Sequence, residues 1–303
     1  MENIKRPSIF GVNVLYLIVG IVLLTFGGYF QSKNIKSGLV ITEYLIILTP
    51  PILFSLVFDL KLKETFRLRK ISIKNMILSV GCTILIYPIA MFFNLIVLNI
   101  ISIFTKVKKP PIPVANNMGE YIILMIIIAF SAGLCEEMFF RGLVFKAYEK
   151  MGKTKAIIIS ATLFGVFHFN IQNLLGPLVL GLLFAYLVEY TGSIWAGVIG
   201  HFTNNGLSVT MAYMANMASK GAAVTENSPD ILNNNMLLLV GTIQIGVIGL
   251  ICGIILYKII KSLKKDSLEE EYEEKYNMTF KDSIPLLISL VIFIYFAYIQ
   301  LMF

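Results

Sequence analysis

Residues 121–145 read YIILMIIIAFSAGLCEEMFFRGLVF. A helix of about 20 apolar residues crosses a bilayer, and this stretch is long enough. Its second half nevertheless carries Glu136, Glu137 and Arg141. Ionisable groups inside a spanning segment are expensive, so they face a protein interior or a water-filled cavity and not lipid. The stretch predicts a bundle of transmembrane helices that shields these groups. It also marks where function is to be sought.

The rest of the chain agrees. Hydrophobic residues make up 57% of the 303, charged residues 14%, and the mean hydropathy is +0.81. A soluble domain carries about a quarter charged residues, so that class is excluded. The short alternating segments of a membrane barrel are absent. The expected fold is all-α: a polytopic bundle of eight to nine transmembrane helices, forming a single transmembrane domain over residues 1–303. Nine apolar stretches qualify, at about 10–30, 39–58, 76–104, 121–145, 156–169, 174–190, 194–214, 236–257 and 284 onward. The first is too long for a signal-peptide core and is expected to be retained. No internal repeat is visible, which argues against a transporter built from inverted repeats.

The net charge of +7 has a membrane explanation. With the N-terminus in the cytoplasm, 18 Lys and Arg fall on inside segments and 6 on outside ones, the bias expected of a multi-pass protein of the cell membrane. The basic residues are dispersed between spans, so the lipid bilayer is the expected partner and nucleic acid is not. Residues 61–74, KLKETFRLRKISIK, suggest an amphipathic segment at the interface. The run Glu269, Glu270, Glu271, Glu273 and Glu274 suggests a solvated helix or loop. Cys82, Cys135 and Cys252 all lie in apolar stretches, with neither a disulfide framework nor a CxxC metal spacing. The chain ends in QLMF, without the cysteine a prenylation signal needs. Glu43 and Glu120 are expected near the outer face, meeting headgroups, and Glu189 at the interface.

Both histidines of the chain, His168 and His201, sit in the two spans that flank 174–190. At about 1.5 Å rise per residue, Glu136 lies roughly 15 Å in from Lys146, His168 roughly 20 Å from Lys155 and His201 roughly 14 Å from Gly192. That puts all three near the middle or the cytoplasmic half of a ~30 Å core. Glu137 and Arg141 are four residues apart and can pair on one face. Glu136 points about 100° away and is free to face a cavity. His201 and Asn205 share a face, as do Phe164 and His168. A desolvated carboxylate beside an imidazole can activate water. A second imidazole and an amide can stabilise an oxyanion. This is equipment for hydrolysing an amide without a covalent intermediate. Glu136, His168 and His201 could alternatively supply three zinc ligands, although no HExxH is present.

EEMFFR at 136–141, FGVFH at 164–168, HFTNN at 201–205 and the linking GLLFAYLVEYTGSIWAGVIGH resemble the CaaX prenyl endopeptidase and bacteriocin-processing (Abi) family of intramembrane glutamate proteases. The likeness covers a protease-like core at about 118–214. It implies that Glu136 is the general base, aided by His168, that His201 and Asn205 form the oxyanion hole, and that Glu137 and Arg141 brace the site. It implies no cofactor, with zinc entering only if the metalloprotease alternative holds. The implied partner is a membrane-associated peptide or protein, cut near the cytoplasmic leaflet. The rival of another class is a non-catalytic bacteriocin-immunity or membrane scaffold protein on the same fold.

Overall fold

The computed structural model describes residues 5–108, 112–221, 231–266 and 276–302. The acidic run at 269–274 lies outside them. Among the described residues nine long helices follow one another: α1 (Ile9–Lys33), α2 (Ile35–Val57), α3 (Ile73–Phe104), α4 (Met118–Met151), α5 (Lys153–Phe167), α6 (Leu175–Thr191), α7 (Ile194–Gly221), α8 (Asn235–Asp266) and α9 (Phe280–Met302). No strand occurs among the described residues.

Seven of these are long and apolar enough to cross a membrane, against the eight to nine expected. The two that fall short are α5 and α7. The first is only 15 residues long. The second has the length, but His201, Thr203, Asn204, Asn205, Ser208 and Thr210 dilute its hydropathy. These are the helices that carry the histidines. Each packs on the bundle along one side and is exposed along another, at Ile158 of α5 and at Phe202 and Met211 of α7.

Helices α4, α5, α6 and α7 form the centre. Phe139, Phe140, Leu143, Val144 and Phe145 of α4 are fully buried. Phe140 meets the rings of Phe164 and Phe167 on α5 edge-on, with centroids 5.1 and 5.2 Å away. Such contacts orient the rings as well as burying them. On one flank α3 pairs with α8 and backs α6 and α7; on the other α1 pairs with α9. Asn13 ties the second flank to the centre: its Nδ2 donates to the Asp282 carbonyl at 2.8 Å and its Oδ1 accepts from Tyr148 Oη at 2.7 Å. Tyr16 Oη donates to the Leu163 carbonyl at 2.9 Å.

Helix α4 is not uniformly wound. Widened, π-helical turns at Met125–Ser131 and Met138–Val144 bracket an α-helical Ala132–Glu137. Another covers Thr42–Leu48 of α2, just ahead of Pro50 and Pro51, which lack the N–H groups that regular winding needs. Such turns rotate the residues that follow and are frequent at functional sites. Here they frame the acidic pair from both sides.

The 61–74 connector is not an amphipathic helix. It has a single helical turn, Leu62–Thr65, and is then pinned to the bundle. Phe66 is 1% exposed and packs on Gly142 of α4, where any side chain would collide with its ring. Arg67 takes a left-handed φ of 47° and ion-pairs with Glu149 and Glu189. Glu189, at the end of α6, is therefore held in an ion-pair network at this end of the bundle, with Lys153 as a second partner.

Candidate active site

Glu137 is fully buried and shares one oxygen between two partners. Its Oε1 accepts from Arg141 Nη1 at 2.8 Å and from His201 Nδ1 at 3.1 Å. The pairing with Arg141 follows from their i,i+4 spacing; the bond to His201 joins α4 to α7. Close approach of the two helices is what permits it. Gly197 faces the Glu137 carboxylate, and a methyl there would lie 2.5 Å from Oε2. The Arg141 guanidinium, also fully buried, stacks over Phe164 at 4.3 Å from the ring centre and lies 5.6 Å from that of Phe184. These aromatic faces stabilise a cation whose Nε and Nη2 have no hydrogen-bond partner.

His201 is stacked on Phe184, with centroids 5.5 Å apart, and meets Phe164 edge-on at 5.6 Å. Because a carboxylate only accepts, the bond to Glu137 commits Nδ1 as a donor. The remaining Nε2 then offers a lone pair when the ring is neutral, and an N–H only when the ring is an imidazolium.

His168 closes α5. Its Nδ1 donates to the Phe164 carbonyl at 2.9 Å, so its Nε2 is a proton acceptor in the neutral ring. The helix stops there because Phe169 adopts φ 45°, left-handed for a side-chain-bearing residue. Phe169 is held in place by burial and by Gln300 Nε2 of α9 on its carbonyl at 2.8 Å. Asn205 donates from Nδ2 to the Ile128 carbonyl of α4 at 3.0 Å and accepts from Asn204 Nδ2 at 2.9 Å.

His168, His201 and Asn205 all line one cavity of about 730 Å³, together with Phe164, Phe184 and Asn204. Its other walls come from α3, the start of α6, Val107, Lys108 and residues 112–114. Those segments lie at the end of the bundle away from Arg67, so the cavity opens on the face opposite the basic connector. Depth counting placed Glu136, His168 and His201 near the middle or the cytoplasmic half of the core. His168 lies at the far end of the 15-residue α5, whereas His201 is only the eighth residue of the 28-residue α7, whose start meets Arg67.

Glu136 is half-buried, beside Cys135, and does not line this cavity. No hydrogen bond joins it to His168 or to any other described side chain, and its Oε2 is buried without a partner. Its electrostatic neighbour is Glu43 of α2. Glu43 is only 6% exposed and sits within the bundle, not among headgroups. The arithmetic applied to the histidines would have placed it roughly 13 Å in from the turn at Asn34. Asn204 and Phe184, to which the sequence gives no role, line the cavity, as does Asn94, ambiguous in sequence. Asn94 accepts from the Gly176 N–H and donates to Asn173 Oδ1, both at 2.7 Å, at the cavity wall. Among the described residues, no three His, Cys, Asp or Glu side chains converge as a metal-ligand set.

Residues 118–207 match the family model described as type II CAAX prenyl endopeptidase Rce1-like. The match covers a little under a third of the chain and contains every motif residue named above. A Bacillus subtilis (strain 168) protein named "Putative membrane peptidase YdiL" is 37% identical over 90 residues, 29% of this chain. The chain spans about a third of that relative's length, 37%. No solved structure matches it significantly. Glu136, Glu137, Arg141, His168, His201 and Asn205 all lie within the Rce1-like stretch. Glu43 comes from outside it, on α2.

Proposed function

We propose that this multi-pass membrane protein is an intramembrane endopeptidase that hydrolyses peptide bonds of membrane-associated peptides or proteins. The observation that carries the reading is the convergence of His168, His201 and Asn205 on one cavity, with Glu137 and Arg141 bracing His201 from behind. The Rce1-like match supports the same class of reaction.

In this reading water attacks the scissile carbonyl carbon while its proton passes to the base. Glu137 is committed to Arg141 and His201, so the carboxylate left for that task is Glu136, with His168 Nε2 as its partner in holding the water. The oxyanion is met by the second amide hydrogen of Asn205 and by His201 Nε2. His201 supplies that hydrogen only as an imidazolium. The tetrahedral intermediate collapses as the proton moves to the leaving amine, releasing two peptides. A second reading rests on the 3.1 Å Glu137–His201 bond: neutral His201 is itself the base and Glu137 its orienter, as in carboxylate–histidine pairs elsewhere.

The test is cleavage of a quenched fluorescent lipidated peptide by purified protein. Glu136→Gln and His168→Ala each lose activity, and a zinc chelator leaves wild type unchanged. Retained activity in Glu136→Gln moves the base to His201. Activity lost to the chelator points to the zinc mechanism. If every sample is inert, the immunity or scaffold role is favoured.

A further inference from the structure

Two carboxyl groups on contacting helices each bury an oxygen that has no hydrogen-bond partner. Glu43 and Glu136 are electrostatic neighbours across the contact between α2 and α4, and each has a buried Oε2 with no hydrogen-bond partner. The other groups facing Glu43 carry no positive charge. On α4 they are the buried Cys135 thiol and Ser131, whose hydroxyl donates to Tyr44 Oη at 3.2 Å. On α1, Gln31 donates to Thr42 at 3.1 Å. Arg141 is within electrostatic reach of Glu136, but its hydrogen bond goes to Glu137. Two close carboxylates cannot both ionise in a low-dielectric interior. A pair that keeps one proton forms instead a short, charge-assisted hydrogen bond.

We propose that Glu43 is a positioning residue for Glu136: the two share a single proton across the α2–α4 contact, and the hydrogen bond between them fixes the Glu136 carboxylate. The proposal rests on Glu136 being the base. It uses both orphaned oxygens. It also gives α2, which lies outside the Rce1-like stretch, a part in the reaction.

Infrared difference spectroscopy on the whole protein in lipid nanodiscs tests the pair without needing a substrate. Wild type shows a protonated-carboxyl carbonyl band that persists at neutral pH. Glu43→Gln removes it, and Glu136→Gln shifts its frequency because the hydrogen-bond partner changes. A band untouched by Glu43→Gln, or none in wild type, overturns the proposal. Cleavage of the quenched lipidated peptide supplies the second readout. Glu43→Leu lowers kcat about tenfold or more with KM unchanged, the signature of lost positioning. Glu43→Gln, whose amide still donates, recovers part of that loss with an altered acid limb of the pH profile. A Glu43→Leu enzyme equal to wild type, beside an inactive Glu136→Gln, overturns the positioning role alone. Full activity in Glu136→Gln removes the base assignment beneath it, whatever the infrared band shows.

Discussion

Glu137 accepts from both Arg141 and His201, whereas Glu136, the next residue, has a buried oxygen that accepts from nothing. Their substitutions should therefore have opposite signatures. Glu137→Ala strands a guanidinium with no exposed surface, and breaking a buried pair by removing one partner costs about 3–5 kcal/mol. Glu136→Gln breaks no described hydrogen bond and leaves the Glu137–Arg141 pair intact, so its thermal midpoint in detergent should stay close to that of wild type while peptide cleavage is lost. A large fall in the midpoint of Glu136→Gln would refute this division of labour. Gly197→Ala should resemble Glu137→Ala. Its methyl would lie 2.5 Å from Glu137 Oε2 and 2.9 Å from Val188 Cγ2, an overpacking that costs about 1–3 kcal/mol. Gly241→Ala is the control, with nothing within 4 Å of the added carbon, and should be neutral or stabilising by up to about 1 kcal/mol. The sequence exposed the six motif residues because charges and histidines are conspicuous in an apolar chain. Glu43 was equally conspicuous, but it has no partner nearby in sequence. Its neighbour lies some ninety positions away and only the α2–α4 packing reveals it.

At the scale of elements, the connector between α2 and α3 shows where periodicity misleads. Spaced Leu, Phe and Ile among basic residues look like a helix lying on a membrane surface. In the fold Phe66 is instead driven into the bundle and Arg67 becomes a hub. Its guanidinium binds Glu149 and Glu189, donates to the Val188 carbonyl at 3.2 Å and stacks on Phe145 at 4.9 Å. Burial works against its charge, but the two carboxylates outweigh that and hold its pKa above the ordinary value, so the hub keeps its charge at any working pH. Nothing in the local sequence names carboxylates 82 and 122 residues downstream. Replacing Arg67 by Met should cost about 3–5 kcal/mol, because Glu149, 3% exposed, would keep only Lys146. Phe66→Ala should cost a similar amount through the cavity it leaves. Thermal unfolding would show both. A change under 1 kcal/mol for either would mean that the connector is only loosely held.

At the scale of the molecule, the basic connector and the mouth of the cavity lie at opposite ends of the bundle. The lysine and arginine distribution, 18 against 6, is the ground for expecting the connector in the cytoplasm. If so, the cavity opens to the outside, and the peptides it receives are ones already inserted into or carried across the membrane. Cysteine accessibility decides the matter in intact cells. Cys82 and Cys135 are buried, so a Cys252→Ser background should label weakly. Cysteines are then placed singly at Lys63, exposed on the connector, and at Lys106, exposed beside the cavity's outer wall. A membrane-impermeant maleimide should modify Lys106→Cys and spare Lys63→Cys until the cells are opened. The reverse pattern would turn the bundle over. Its mouth would then face the cytoplasm, and the expected substrates would change from exported peptides to cytoplasmic tails. The geometry of the site itself would be unaltered, since Glu137, Arg141, His201 and the α2–α4 carboxyl pair are fixed by packing within the bundle and not by its direction in the bilayer.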